Sequence, residues 1–170
     1  GEVRADRVPC DIADVDNVSE LFDQHGAFDY VFHLAAVTFV PEAMRDPSQV
    51  ERVNVAGTKH LLTHAAAANE SVRFMNVGSS DAYGVPQFTP ITEEHPFEPI
   101  NPYGTSKLMS EWMLRDLCAA DPLRHVILRY FNVARCDPEG RIGQTTDQAT
   151  LLTKVACEAV VGKRSHVSIF

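Results

Sequence analysis

The chain lacks the features that are typical of secreted, membrane-spanning and nucleic-acid-binding proteins. Its four cysteines, Cys10, Cys118, Cys136 and Cys157, form no Cys-x-x-Cys pair, which argues against a disulfide framework and a zinc site. No apolar run is long enough to span a bilayer. Fifteen lysines and arginines stand against 23 aspartates and glutamates, and the resulting net charge of -8 repels nucleic acid and anionic membranes. These absences predict a cytoplasmic protein without a nucleic-acid or membrane partner.

What is present is the pattern of an α/β protein. The 170 residues are 45% hydrophobic and 22% charged, enough for one domain with a buried core. Apolar runs of strand length cover residues 29–34, 71–77, 125–131 and 166–170, and they alternate with helical patterns at 15–24, 47–69, 101–120 and 146–161. This alternation predicts parallel βαβ units, and the proline-rich residues 84–102 predict a surface loop. Because the chain opens on glycine and closes on a strand-like segment, we expect it to be an excerpt of a longer protein.

The most informative local pattern is a tyrosine and a lysine four residues apart at the start of a predicted helix. Asn101 suits the N-cap and Pro102 the first helical position, so Tyr103 and Lys107 fall one turn apart on one face. A lysine ammonium favours the phenolate and is expected to lower the pKa of the tyrosine toward the operating pH. Taken alone, the pattern also fits an exposed pair on a helix.

A second pattern is the polar cluster that follows the apolar run at 71–77. In an open parallel sheet, ligands bind outside the carboxyl ends of the strands, which places Ser79 and Ser80 where a substrate would lie. The same residues also fit a turn that only ends a strand.

Together with three further motifs, these patterns resemble those of a known family. Residues 10–14, 33–36, 53–58, 79–84 and 103–107 occur in the order found in the extended short-chain dehydrogenases/reductases, the NAD-dependent nucleotide-sugar epimerases and dehydratases. The resemblance implies a Rossmann-like, doubly wound parallel sheet. That sheet is partial, because the glycine-rich loop of the first βαβ unit and the substrate-binding lobe are missing. It further implies that residues 1–134 belong to the NAD-binding domain and residues 135–170 to a crossover into the substrate-binding region.

The resemblance also implies how NAD is held. Asp11 and Ile12 would contact the adenine, and the small residues after the first apolar run would line the dinucleotide. Asn54 would anchor the backbone beside the cofactor. The implied cofactor-binding set is Asp11, Ile12, Leu34, Ala35, Ala36, Asn54, Tyr103, Lys107 and Tyr130.

By the same resemblance, the reaction is 4-epimerisation of a UDP-hexose through transient oxidation at C4. Ser79 would bond the sugar 4-oxygen, Tyr103 would accept the proton, and Lys107 would hold the nicotinamide ribose and lower the tyrosine pKa. The implied substrate-binding residues are Ser79, Ser80, Phe131 and Asn132. Residues 128–134, 137–144 and 154–164 favour the branch that interconverts UDP-glucose and UDP-galactose. Without the missing parts, the segment alone is expected to be inactive.

Two residues depart from the pattern of the epimerases, so other functions within the family stay open. Asp81 is acidic where the 4,6-dehydratases and the 4-keto-6-deoxy-sugar reductases carry an acid, so it is a possible acid/base; it also suits a turn cap. Thr38 stands where several epimerases place a lysine near the cofactor phosphates. A non-catalytic nucleotide-binding module is a further alternative, although the intact Ser79, Tyr103 and Lys107 argue against it.

Two other groups of residues carry weaker signals. His60 and His64 have metal-ligand spacing on a helix, but no third ligand is apparent, so no metal site is predicted. The family resemblance implies a homodimer formed through the two long helices. It would place Met109, Trp112 and Met113 near a hydrophobic seam, whereas the residues alone are interpreted as intramolecular core.

Overall fold

The computed structural model describes residues 5–120, 123–134, 136–145 and 150–168. The chain divides into two compact units, Gly1–Tyr130 and Phe131–Phe170. The sequence placed a domain boundary after residue 134, which stays a prediction.

The first unit is a Rossmann-like arrangement of three parallel strands and helices. Along the chain it contains α1 (Val15–His25), β1 (Tyr30–His33), α2 (Val40–Arg45), α3 (Pro47–Val50), a π-helical segment (Glu51–Ala56), α4 (Gly57–Ala68), β2 (Arg73–Val77), a 3-10 turn (Ser80–Ala82), α5 (Pro102–Ala120) and β3 (Arg124–Leu128). The strand order is β1-β2-β3, and both pairs are parallel. The predicted parallel α/β architecture is confirmed, with the proline-rich segment before α5 as an irregular connection.

One hydrophobic core holds the sheet against α1, α4 and α5. Phe74 in the central strand is almost completely buried, and Leu62 from α4 and Leu114 from α5 are buried in the same cluster. Helix α1 starts where Asp14 caps it, with the carboxylate accepting from Asp16 N at 2.9 Å. The opposite face of the sheet is less covered, and Phe32 on β1 stays 62% exposed there.

The single long helix predicted over residues 47–69 is interrupted. Its middle turn is π-helical, between α3 and α4. The carbonyl of Asn54 in this turn accepts from the hydroxyls of Thr58 at 2.5 Å and Ser110 at 2.9 Å. Hydroxyl groups that bond to main-chain carbonyls compete with the regular helical ladder, which explains why the helix departs from α geometry here.

The second unit contains one helix, α6 (Leu152–Val160), among its described residues. The sequence predicted a helix from Thr146, but residues 146–149 lie outside the described residues. The strand predicted over residues 166–170 is wrong for residues 166–168, which are irregular; the last two lie outside the described residues. Among the helices of the described residues, none combines the length and apolar character needed to cross a membrane.

The interpretation of three α5 side chains as intramolecular core is also corrected. Trp112 is 50% exposed, Met109 lies at the surface and Met113 is half-buried. The helix turns these side chains away from the sheet because its buried face is formed by other residues, among them Leu108 and Leu114.

Candidate active site

The candidate site lies at the carboxyl edge of the sheet, where β2 leads into the 3-10 turn. Ser79 caps this turn, its Oγ accepting from Asp81 N at 3.2 Å, and its side chain is buried. Ser80 N donates to Tyr130 O at 2.9 Å, which joins the end of the third strand to the same turn. Both predicted serines therefore lie at the edge where a ligand of a parallel sheet binds.

Helix α5 begins directly against this turn. Asn101 caps it as predicted, with its Oδ1 accepting from Gly104 N at 2.8 Å. A Cβ on Gly104 would lie 2.6 Å from Asp81 O, so only a glycine lets the helix approach the turn so closely. Asn101 Nδ2 also donates to Asp81 Oδ2 at 3.4 Å. Asp81 thus contacts the cap of α5, which is compatible with the structural role considered for it.

The first turn of α5 brings Tyr103 to Ser79. Burial raises the pKa of Tyr103 and the Asp81 charge adds to this effect, whereas the Ser79 side chain lowers it, so the pKa is raised overall. The expected depression of this pKa by Lys107 is therefore not what the structure shows. Since Ser79 Oγ already accepts from Asp81 N, its proton is free to be donated to the phenol oxygen.

Lys107 is buried one turn further along α5. Its Nζ donates to Val77 O, at the end of β2, at 2.8 Å, and the residue is 4% exposed. Burial lowers the pKa of Lys107 to about 8, although the carboxylate of Glu111 raises it. An ammonium has three donors, so a group held in this way still has protons to offer a ligand.

Two buried polar side chains, which the sequence did not single out for the site, lie beside the lysine. His33 and Asn76 pair across β1 and β2, and the His33 ring contacts Thr58 Oγ1 through Nε2 at 2.8 Å. Because the Thr58 hydroxyl donates to Asn54 O, Nε2 must carry the proton and Nδ1 is an acceptor. Burial, with the Lys107 charge, lowers the pKa of His33 to about 4 and keeps the ring neutral. His33 Nδ1 and Asn76 Nδ2 have no hydrogen-bond partner in the described part of the chain.

Asn54 fixes the backbone that follows β1. Its Oδ1 accepts from Val37 N at 2.8 Å and its Nδ2 donates to Val37 O at 3.0 Å. The same Nδ2 donates to Ser106 Oγ at 2.9 Å, and that hydroxyl donates to Tyr103 O at 2.7 Å. One buried amide therefore ties the loop after β1 to the first turn of α5.

The predicted adenine contacts lie in the loop before α1. Asp11 is exposed, and its Oδ1 accepts from Ala13 N at 3.0 Å. Ile12 is half-buried against Gly57, where a Cβ would lie 2.8 Å from the isoleucine side chain, and His60 Nδ1 donates to Ile12 O at 3.0 Å. His60 thus serves to hold this loop, and His64 Nδ1 donates to His60 O at 2.8 Å.

The remaining predicted residues lie along or beyond the strand ends. Leu34, Ala35 and Thr38 are exposed after β1, with Ala36 half-buried among them. Tyr130 is 42% exposed after β3. The predicted substrate contacts Phe131 and Asn132 are exposed and open the second unit, so their roles stay predictions.

An ion pair that the sequence did not predict lies next to this site. Glu111 is completely buried on α5, and Arg129 follows β3 to meet it at 2.9 Å. The spacing of Glu111, four residues after Lys107 on the same helix, could have indicated that it belongs to the site. Only the fold brings Arg129 to Glu111.

Comparisons with known proteins agree with this geometry. The family model described as GDP-mannose 4,6 dehydratase matches residues 2–169. A protein of Azospirillum brasilense named UDP-glucose 4-epimerase is 49% identical over 84% of this chain and 40% of its own length. A Rhizobium meliloti protein of the same name is 38% identical over 94% of this chain and 48% of its own.

A solved structure is similar as well. The UDP-glucose 4-epimerase of Brucella ovis in complex with NAD has a TM-score of 0.85 and 36% identity, covering 96% of this chain and 50% of that one. The chain thus spans half, or less, of the length of these relatives. It belongs to the family of NAD-dependent epimerases and dehydratases that the GDP-mannose 4,6 dehydratase model describes.

Proposed function

We propose that the whole protein carrying this chain is an NAD-dependent nucleotide-sugar 4-epimerase that interconverts UDP-glucose and UDP-galactose. The observation that carries the proposal is the assembly of Ser79, Tyr103 and Lys107 at the carboxyl edge of a parallel sheet. The relatives named UDP-glucose 4-epimerase support this reaction and substrate, and the NAD complex among the solved structures supports the cofactor. The nine glycines of the chain form no Gly-x-Gly-x-x-Gly phosphate loop, so we expect no turnover from the chain by itself.

The residues at the edge fit a dinucleotide. Ala35 and Ala36 leave space after β1, and Asn54 fixes the neighbouring backbone at Val37. The ammonium of Lys107 lies at the end of β2 with donors suited to ribose hydroxyls. The chemistry that NAD would supply when bound is reversible hydride transfer at the sugar C4.

The chain's own groups would handle the proton. Tyr103, as the phenolate, would take the proton of the 4-hydroxyl and give it back when the hydride returns. Ser79 would hydrogen-bond the sugar 4-oxygen and steady the charge that develops there. Burial raises the pKa of Tyr103 and Ser79 lowers it, so Ser79 favours the phenolate before the sugar binds.

The test is to incubate the whole protein with UDP-galactose, adding no cofactor, and to analyse the nucleotide sugars. We expect UDP-glucose to appear, and Tyr103→Phe to lower the rate by about 10²- to 10⁴-fold, the usual range for a general acid/base. Tyr30→Phe is the matched control, because this tyrosine is exposed at the start of β1, away from the carboxyl edge. Unchanged UDP-galactose with folded, NAD-loaded protein would reject the proposal.

A second candidate is a 4,6-dehydratase or a 4-keto-6-deoxy-sugar reductase. The observation that favours it is the position of Asp81, whose charge acts on Tyr103. The description of the matching family model points the same way. Loss of water from a nucleotide sugar, or consumption of reduced cofactor, would select this candidate, and Asp81→Asn should then abolish the reaction.

We also infer a homodimer in the cytoplasm. Met44 on α2, together with Met109 and Trp112 on α5, is exposed, and the two methionines line one shallow cavity. An apolar surface of this kind suits a symmetric contact between two copies. Within the described residues, Cys10, Cys136 and Cys157 form no disulfide, which fits a reducing compartment. In sedimentation experiments on the whole protein, Trp112→Glu should convert a dimer to a monomer; a dimer that survives would place the contact elsewhere.

A further inference from the structure

A buried carboxylate extends the pair of Tyr103 and Lys107 along α5. Glu111 is one turn beyond Lys107, which is one turn beyond Tyr103, so the three side chains share one face of the helix. Glu111 is completely inaccessible to solvent. The candidate site thus adjoins the buried carboxylate of Glu111, which has no role in the proposed chemistry.

The carboxylate is fixed from the other side by Arg129. Arg129 Nε lies 3.1 Å from Glu111 Oε1 and 3.0 Å from Oε2, and Nη2 lies 2.9 Å from Oε2. Arg129 Nη1 donates to Tyr83 Oη at 2.7 Å, and the guanidinium lies 4.7 Å from the ring centre of Phe97. Because several contacts fix the guanidinium, the Glu111 carboxylate that it binds is fixed in position as well.

The end of β2 is shaped to admit this carboxylate next to the lysine. A Cβ on Gly78 would lie 2.9 Å from Glu111 Oε1 and 3.2 Å from Leu128 O. The preceding residue is Val77, whose carbonyl binds Lys107 Nζ. The ammonium and the carboxylate therefore meet adjacent residues of the same strand end, although they form no direct ion pair within the described part of the chain.

Burial of an ion pair alone does not explain this arrangement. Replacing such a pair by apolar residues is often neutral or stabilising, because both charges lose their hydration. The groups that face Lys107 are Tyr103 and Glu111 on its own helix and the neutral His33 on β1, with Arg129 behind Glu111. While Tyr103 is protonated, Glu111 is the anion among these four. Burial lowers the pKa of Lys107, and Glu111 raises it.

We propose that Glu111 is a positioning residue for Lys107: its carboxylate, held by Arg129, keeps the ammonium charged on the carbonyl of Val77. The inference rests on the proposed function in that Lys107 must be charged to hold the cofactor ribose. It goes beyond that function by assigning a task to Glu111 and Arg129, two residues that the proposed chemistry does not use.

The test follows the titration of Lys107 directly. The whole protein, loaded with NAD and labelled with 15N-lysine, is titrated by NMR, and the Lys107 signal is assigned from its absence in Lys107→Arg. We expect the midpoint of the Lys107 signal to fall by about one pH unit or more in Glu111→Gln, the size expected when a neighbouring opposite charge is removed. Glu20→Gln, at an exposed helical glutamate that bonds Gln24, is the matched control and should leave the midpoint unchanged.

Two further variants keep the test decisive. Glu111→Asp retains the charge and should bring the midpoint back toward that of the wild type. If Glu111→Gln does not fold, the double variant Glu111→Gln/Arg129→Gln also removes the guanidinium that would lose its partner. Its midpoint should still fall, because Glu111 is the charge that acts on Lys107 and Arg129 lies behind it. A folded Glu111→Gln protein, or failing that the double variant, with an unchanged midpoint overturns the proposal.

The titration also separates the inference from the proposed function. A lowered midpoint in a protein that does not epimerise UDP-galactose would uphold the role of Glu111 and reject the reaction. An active epimerase whose Lys107 midpoint is the same in Glu111→Gln would support the reaction and reject the role of Glu111.

Discussion

The hydrogen bonds of Asn54 allow a quantitative prediction. This side chain is 1% exposed and makes three hydrogen bonds, two to the main chain of Val37 and one to Ser106 Oγ. At about 1 kcal/mol for each bond, Asn54→Ala should lower the free energy of unfolding by about 3 kcal/mol. The substitution should also affect the candidate site, because Ser106 Oγ, which donates to Tyr103 O, would lose the hydrogen bond that it accepts from Asn54.

The assay is urea unfolding of the whole protein, with NAD retention measured on the same samples. Asn17→Ala is the control, because Asn17 is exposed on α1 and its amide bonds Asp14. A surface change of this kind usually alters the free energy of unfolding by less than about 0.5 kcal/mol. If Asn54→Ala is no more destabilising than Asn17→Ala, then Asn54 does not hold the loop after β1 to α5, and its assignment as the anchor beside the cofactor fails.

Three further predictions concern α5 and its contacts. Gly104→Ala should destabilise the protein by about 1–3 kcal/mol in thermal unfolding, because the new Cβ would lie 2.6 Å from Asp81 O. Gly143→Ala is the control, since its Cβ would have room. Equal melting temperatures of the two variants would contradict the prediction. Folding lowers the pKa of Lys107 from 10.5 to about 8, so the unfolded state holds the proton more tightly. As the pH rises from about 8 to 10.5, the free energy of unfolding of the wild type should therefore increase relative to that of Lys107→Met, by on the order of 3 kcal/mol. A difference that does not change with pH would refute the burial argument. Removal of the Asp81 charge lowers the pKa of Tyr103, so in Asp81→Asn the rising limb of the pH profile of kcat/KM should move to lower pH, by up to about one unit; a move to higher pH would contradict the sign.

The sequence located the elements of the site well because their signals are local. The cap at Asn101 and the proline after it predicted the start of α5, and Tyr103 and Lys107 lie one turn apart because the helical period requires it. The apolar run before Ser79 predicted β2 and its end. The π-helical turn was missed because one of the two hydroxyls that bond the carbonyl of Asn54, that of Ser110, comes from a residue far along the chain.

The pKa of Tyr103 shows the limit of reasoning from a motif. The spacing to Lys107 predicted a lowered pKa, but the structure gives a raised one, because burial outweighs the hydrogen bond from Ser79 and Asp81 adds its charge. Desolvation depends on how many atoms surround the phenol, and a local pattern contains no such information.

By itself, the sequence determined the alternation of strands and helices, the family and the three side chains that carry the proposed chemistry, because caps, periodicity and motif order are properties of short segments. The tertiary structure alone decided which groups surround them. Arg129, which follows β3, meets Glu111 on α5, and His33 is neutral because it is buried and lies near the Lys107 charge. Those contacts join residues distant in the chain, and the charge and pKa of a buried group depend on such neighbours.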